Sequence, residues 1–208
     1  MASQAQGARQ KSSTGKIEAV QIMDSEGFRP SRRAILGGAF VGIAALAAAP
    51  VYAKVPGFLR QAGDIRRVRM YSQRTGESID TIYYADGQYV PEAVQEISYF
   101  MRDWRENVVM KYDPRNIDNL AAVIRLMDTD EPYLMISGYR TARTNSMLRG
   151  AASHSYHLKA MAADIRLRSR SVKQISGAAF ACNGGGVGIY NRSNFVHIDC
   201  GPVRSWRG

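Results

Sequence analysis

Phe195-Val196-His197-Ile198-Asp199 alternates apolar and polar side chains with the period of a β-strand. Val196 and Ile198 would face a core, and His197 and Asp199 would share the opposite face. A second segment, Asp164-Ile165-Arg166-Leu167, also reads as a strand and begins on a carboxylate. Two such strands side by side can present Asp164 and His197 to one point. Helical periods lie elsewhere, so the expected class is α+β: a single domain with helices packed on a small, largely antiparallel sheet that carries the functional site.

Working outward, Arg66, Val68 and Met70 on one side of Arg74-Thr75-Gly76-Glu77, and Ile79, Ile82 and Tyr84 on the other, predict a hairpin. Asp86-Gly87 predicts a second turn. Pro91 opens a helical stripe of Val94, Ile97, Phe100, Met101 and Trp104, and a second helix begins near Asn116 and runs through Leu120, Val123, Ile124 and Met127. A strand over 133–137 ends at Gly138, and short helices are expected over 144–149 and 172–180. Gly184-Gly185-Gly186 leads into a strand over 187–190, and Phe195–Asp199 is expected to be the last strand. The aromatic and methionine positions of the helices read as core.

The first 53 residues read as an address. Ser31-Arg32-Arg33-Ala34-Ile35-Leu36 sets an arginine pair before an apolar run over 34–49 that ends at Pro50-Val51-Tyr52-Ala53. This is the anatomy of a twin-arginine export signal, here with a polar N-terminal extension over 1–22 and an alternative start at Met23. The run is short and rich in Ala and Gly, so it would span a bilayer poorly; cleavage after Ala53 is expected, with no stable membrane insertion afterwards and a periplasmic destination. Residues 54–64, with Pro56 and Gly57, read as a linker to a domain over 65–208. Beyond Ala53 the chain holds 22 basic and 15 acidic residues, a net charge of about +7 that suits an acidic polymer outside the membrane. Nucleic acid is not expected as a partner: Arg66-Arg67-Val68-Arg69-Met70-Tyr71 gives only a hint of interleaved basic and aromatic residues, and an export signal opposes it.

All the histidines of the chain, His154, His157 and His197, fall near the two decisive strands. Imidazoles with a carboxylate are the ligands zinc takes when one position must stay open for water. His157 and Asp164 on one straight helix would stand about 10 Å apart along its axis, too far for one ion, so the segment must bend. His154 and His157 are both candidates, and spacing alone does not choose between them. Cys182 and Cys200 suit either a disulfide in an oxidising compartment or two free buried thiols, and both options rank above zinc ligation by Cys200.

Ser137-Gly138-Tyr139-Arg140, Thr144-Asn145, the run from Ser155 through His157, Ala160 and Ala162 to Asp164, and Val196-His197-Ile198-Asp199 together resemble the D-alanyl-D-alanine peptidase superfamily of zinc enzymes. The similarity spans roughly 65–207 and points to its branch of exported murein endopeptidases. The resemblance implies one zinc ion on His157, Asp164 and His197, leaving His154 out. It also implies an oxyanion-stabilising role for Arg140, a place for Ser155 on the substrate side or as a turn residue, and peptidoglycan peptide as substrate. Two departures stand out. Glycine is usual where this chain has Ala160, and an acidic residue is common three positions before the last histidine, where this chain has Asn194. A neutral amide cannot take a proton from the attacking water. Asp199 therefore becomes the candidate for proton handling, or for orienting His197, and His154 a weaker one. The expected function is a zinc-dependent peptidoglycan hydrolase cleaving peptide bonds in cross-links or stem peptides; a zinc-stabilised peptidoglycan-binding protein without catalysis is the alternative.

Overall fold

The computed structural model describes residues 65–208; the expected export signal at 1–53 and linker at 54–64 lie outside the described residues. The chain opens with the expected hairpin, β1 (Arg66–Ser72) and β2 (Ser78–Ala85). Asp86 and Gly87, at φ of 51° and 79°, turn it into the short β3 (Gln88–Tyr89). Helices α1 (Pro91–Phe100) and α2 (Pro114–Leu126) follow, each with a proline in its first turn, where a missing N–H costs nothing. Then come β4 (Tyr133–Ser137), the short α3 (Ala142–Met147), a 3-10 helix at Tyr156–Lys159 and β5 (Ala162–Arg166). Helix α4 (Val172–Cys182) starts on a Ser171–Gln174 capping box, and β6 (Gly186–Tyr190), β7 (Phe195–Asp199) and β8 (Arg204–Arg207) complete the fold.

These strands form one sheet in the order β3-β2-β1-β4-β5-β7-β6-β8. The β1–β4 and β6–β8 pairs are parallel and the others antiparallel. The α+β class therefore holds, with eight strands in the sheet. Phe195–Asp199 is not the last strand: the chain turns at Gly201-Pro202 and adds β8 as an edge. Helix α1 stops before Trp104, because Asp103 accepts the N–H groups of Arg105 and Glu106 and turns the chain instead. Helix α3 begins earlier than expected, because the Thr141 hydroxyl caps the N–H of Thr144 at 3.1 Å.

One face of the sheet is apolar. Val68, Met70, Ile165, Val196 and Ile198 pack there against Ile97, Ile117, Leu120, Ile175 and Ala179 of α1, α2 and α4. Within this core Asp118 of α2 accepts from Arg66 at 2.8 Å, Tyr83 at 2.9 Å and Tyr89 at 2.6 Å, which ties the three N-terminal strands to the helix. A fully buried carboxylate is tolerated only with such partners. Strand alternation then sends Asp164, His197 and Asp199 to the opposite face of the sheet. Among the described residues no helix is long and apolar enough to cross a membrane.

Candidate metal centre

Strands β5 and β7 are antiparallel neighbours in which Asp164 lies directly opposite His197. His157 arrives from the 3-10 helix, so the chain bends between it and Asp164 as the axial distance requires. Ser155 starts that helix by accepting the His157 N–H at 3.3 Å. Ala160 ends it in the left-handed region, φ 51° and ψ 41°, and reverses the chain into β5. This is the position where the resembled family uses glycine. A side chain there costs about 1 kcal/mol of backbone strain, and the surrounding buried structure holds it in place.

The donor atoms converge closely. His157 Nε2 lies 3.1 Å from Asp164 Oδ1 and 3.1 Å from His197 Nδ1, and His197 Nδ1 lies 2.9 Å from Asp164 Oδ1. Their residues are 1%, 3% and 7% exposed, so water cannot compensate for what meets there. The outer ring atoms decide the tautomers. His157 Nδ1 is 2.6 Å from the Gly138 carbonyl oxygen, which can only accept, so this nitrogen carries the proton. His197 Nε2 is 2.9 Å from Asp199 Oδ2 and carries its proton likewise. With the outer nitrogens protonated, each imidazole can turn the lone pair of its inner nitrogen toward Asp164 Oδ1, and three donor atoms gathered in this way suit a shared cation. Two nitrogens and one carboxylate oxygen, each oriented by an outer hydrogen bond, are the donor set of an open tetrahedral zinc site. Ligand atoms about 2.0–2.1 Å from a tetrahedral ion stand about 3.3 Å apart, so the observed spacing needs to open only slightly. The residues fit the ion.

Gly138 earns its place sterically. A Cβ there would fall 2.3 Å from the Met101 carbonyl oxygen, so only glycine lets the end of β4 pass close enough to hand its carbonyl to His157.

Electrostatics follow the same geometry. Burial opposes the charge of Asp164, but the imidazoles of His157 and His197 outweigh it and hold the carboxyl well below the usual carboxylate range. Burial pushes the fully enclosed His157 down despite Asp164. For His197 burial acts in the same direction, yet hydrogen bonds to Asp164 and Asp199 prevail and raise it. Arg140 stands beside the cluster: Nε donates to Ser137 Oγ at 2.7 Å, and Nη2 donates to Asp164 Oδ2. Its backbone N–H donates to the His157 carbonyl at 3.1 Å, so strand end and 3-10 helix are locked together.

The structure thus brings Arg140, His157, Asp164, His197 and Asp199 together, with Ser155 at the base of the same turn. His154 is exposed and stands apart from the cluster. Asn194 sits in the exposed β6–β7 turn at φ 52°, a left-handed position that asparagine tolerates, so a turn requirement accounts for the residue there. Asp199 is fully buried behind His197, on the ring edge opposite the ligand nitrogen. Cys182 and Cys200 are free, buried thiols, pushed by burial up to about 11 and about 12. The Ser137 hydroxyl, the Gly138 carbonyl and Arg204 also belong to the site. The first two lie inside the motif ending at Arg140, whereas nothing in the sequence marks Arg204.

Comparison with known proteins identifies the family. Residues 60–206 match the family model described as peptidoglycan L,D-endopeptidase MepK. Peptidoglycan L,D-endopeptidase MepK of Escherichia coli strain K12 is 37% identical over 185 residues, covering 86% of this chain and 98% of the relative. The Shigella flexneri protein of the same name gives the same 37% identity over 185 residues and the same coverage. The chain belongs to the MepK family of metallopeptidases.

Proposed function

We propose that this protein is an exported zinc peptidase that hydrolyses peptide bonds in the cross-links of peptidoglycan, with the L,D preference that its relatives' names carry. One zinc ion would be held by His157, Asp164 and His197 and, when bound, would polarise the scissile carbonyl and activate the attacking water. The observation that carries this reading is the convergence of three buried potential ligand atoms at 2.9–3.1 Å from one another.

The chain's own residues prepare the rest. The Gly138 carbonyl and the Asp199 carboxylate hold the two imidazoles in the tautomers that leave their inner nitrogens unprotonated. Arg140, braced by Ser137 and Asp164, places a fixed guanidinium where negative charge grows on the carbonyl oxygen. Ser155 shapes the turn that carries His157, and the family resemblance would put it on the substrate side. With the imidazole between Asp199 and the cluster, orienting His197 is the role its position favours over direct proton transfer. The export signal over 1–53 would deliver the enzyme to the periplasm by the twin-arginine route.

The test is a muropeptide profile of sacculi incubated with the purified, zinc-loaded protein beside a His197→Ala control. Loss of dimeric muropeptides with the wild type alone is expected, and the dimers that disappear identify the bond. An unchanged profile with zinc bound would replace the peptidase reading by the non-catalytic peptidoglycan-binding one.

A further inference from the structure

Strand β8 carries Arg204 to the outer side of the metal centre. Its Nη1 donates to Asp199 Oδ1 at 3.0 Å and its Nη2 to Asp199 Oδ2 at 2.7 Å. Oδ2 is the oxygen that also takes the His197 Nε2 proton. Oδ1 accepts in addition the backbone N–H groups of Gly186 at 3.0 Å and Gly201 at 2.9 Å. The guanidinium also lies over two rings, 4.9 Å from the ring centroid of Tyr156 and 4.9 Å from that of Trp206. Tyr156 opens the 3-10 helix that bears His157, and the Trp206 ring stands 5.1 Å from the His197 imidazole. Space for the pair is provided by a bare backbone: a Cβ on Gly186 would lie 2.3 Å from Arg204 Nη1 and 2.6 Å from Asp199 Oδ2.

We infer that Arg204 is a positioning residue of the metal centre that acts through Asp199. The bidentate fork fixes the plane of a fully buried carboxylate, so that Oδ2 stays on His197 Nε2. That bond selects the tautomer in which His197 Nδ1 keeps its lone pair toward Asp164 and His157. Without the fork, Oδ1 retains its two backbone donors while Oδ2 keeps only the imidazole. The carboxylate can then swing away from Nε2. The competing tautomer, protonated on Nδ1, gains population and offers no lone pair to a metal. This inference rests on the metal-centre reading above. It adds that the last strand, remote in sequence from every ligand but His197, tunes metal affinity.

The experiment compares the full chain with Arg204→Gln, Arg204→Lys, Asp199→Asn and the Asp199→Asn/Arg204→Gln double variant. Long-range nitrogen–proton correlations of the imidazoles in metal-free protein, recorded at a pH high enough for His197 to be neutral, report its tautomer. Competition with a chromophoric chelator reports zinc affinity, and the metal-free melting temperature monitors the fold. The expected result is an Nε2-protonated His197 in the wild type, a mixed tautomer in Arg204→Gln, and zinc binding weakened tenfold to a hundredfold. Arg204→Lys, which keeps the charge but loses the fork, should fall between them; it carries the test if Arg204→Gln does not fold. In the Asp199→Asn background Arg204→Gln should add no further loss. An unchanged tautomer and zinc affinity, with only a lower melting temperature, would overturn the inference and leave Arg204 as an edge-strand anchor. So would full additivity in the double variant. Sacculi left intact by a zinc-loaded wild type would count against the proposed activity alone, because tautomer and affinity are read without substrate.

Discussion

Arg140 donates to one oxygen of Asp164 and leaves the other to face both imidazoles. The same guanidinium is pinned from behind by Ser137, so its position is set by two contacts that a lysine cannot reproduce together. Arg140→Ala is expected to lower kcat about 10²–10³-fold on a soluble cross-linked muropeptide, the loss typical of one oxyanion donor. Arg140→Lys should recover little of it. Steady-state kinetics would show this, and a variant with wild-type kcat would remove Arg140 from the reaction.

The three converging donors make metal binding and stability one measurement. Zinc at a hundredfold excess over its Kd should stabilise the folded protein by about 2.7 kcal/mol, seen as a rise in melting temperature that a chelator reverses. His157→Ala, Asp164→Asn and His197→Ala should each abolish that rise. His154→Ala should not, because His154 is exposed and outside the cluster. Equal response of all four variants to zinc would place the ion elsewhere.

On the helix side of the sheet, Asp118 gathers Arg66, Tyr83 and Tyr89. Asp118→Ala would leave a buried guanidinium without its counter-charge, at a cost of about 3–5 kcal/mol. Urea unfolding should report this loss, while hydrolysis per folded molecule stays at the wild-type value. A loss below 1 kcal/mol would mean that the cluster relaxes into solvent.

Asp103 gives the fold an acid limit. Burial opposes its charge, but the hydroxyl of Thr144 and the backbone N–H groups of Thr141 and Arg105 outweigh it and depress its pKa. A depressed folded-state pKa contributes stability that is fully present above the ordinary aspartate value of about 4 and is lost as pH falls toward the folded value. The melting temperature should therefore drop below about pH 4, and Asp103→Asn should be less stable at pH 7 with a shallower acid slope. Because Asp103 also holds the Thr141 N–H at 2.9 Å, next to Arg140, the variant should lose activity as well. Parallel acid slopes for the two proteins would assign the acid limit to other carboxylates.

How far the sequence could be read depended on the kind of signal each residue carries. Alternation along Phe195–Asp199 and 164–167 was enough to foresee that Asp164 and His197 meet, because side-chain period and strand adjacency are local rules. The hairpin at Gly76, the helix opened by Pro91 and the second helix, expected from near Asn116 and found from Pro114, were legible for the same reason. Strand β8 was not: Arg204-Ser205-Trp206-Arg207 has no apolar alternation, and its parallel pairing with β6 is a tertiary choice. Asp199 could be put on the face of His197, but which imidazole nitrogen it binds depends on a rotamer that spacing does not encode. Ala160 and Asn194, flagged as departures from the resembled family, both turn out to occupy left-handed backbone, which only the three-dimensional path of the chain reveals.

The pairing of Asp164 opposite His197 also couples the chemistry to assembly of the sheet. A slip of one residue in either strand would rotate a ligand into the core and bring Ile165 or Ile198 to the cluster in its place. A misaligned molecule is then not a weakened hydrolase but an inert one. On the proposed reading, metal capture would become a proofreading event, completed only by chains whose strands have found the correct partners. For a peptidoglycan hydrolase, that would be a safeguard written into the hydrogen-bond ladder itself.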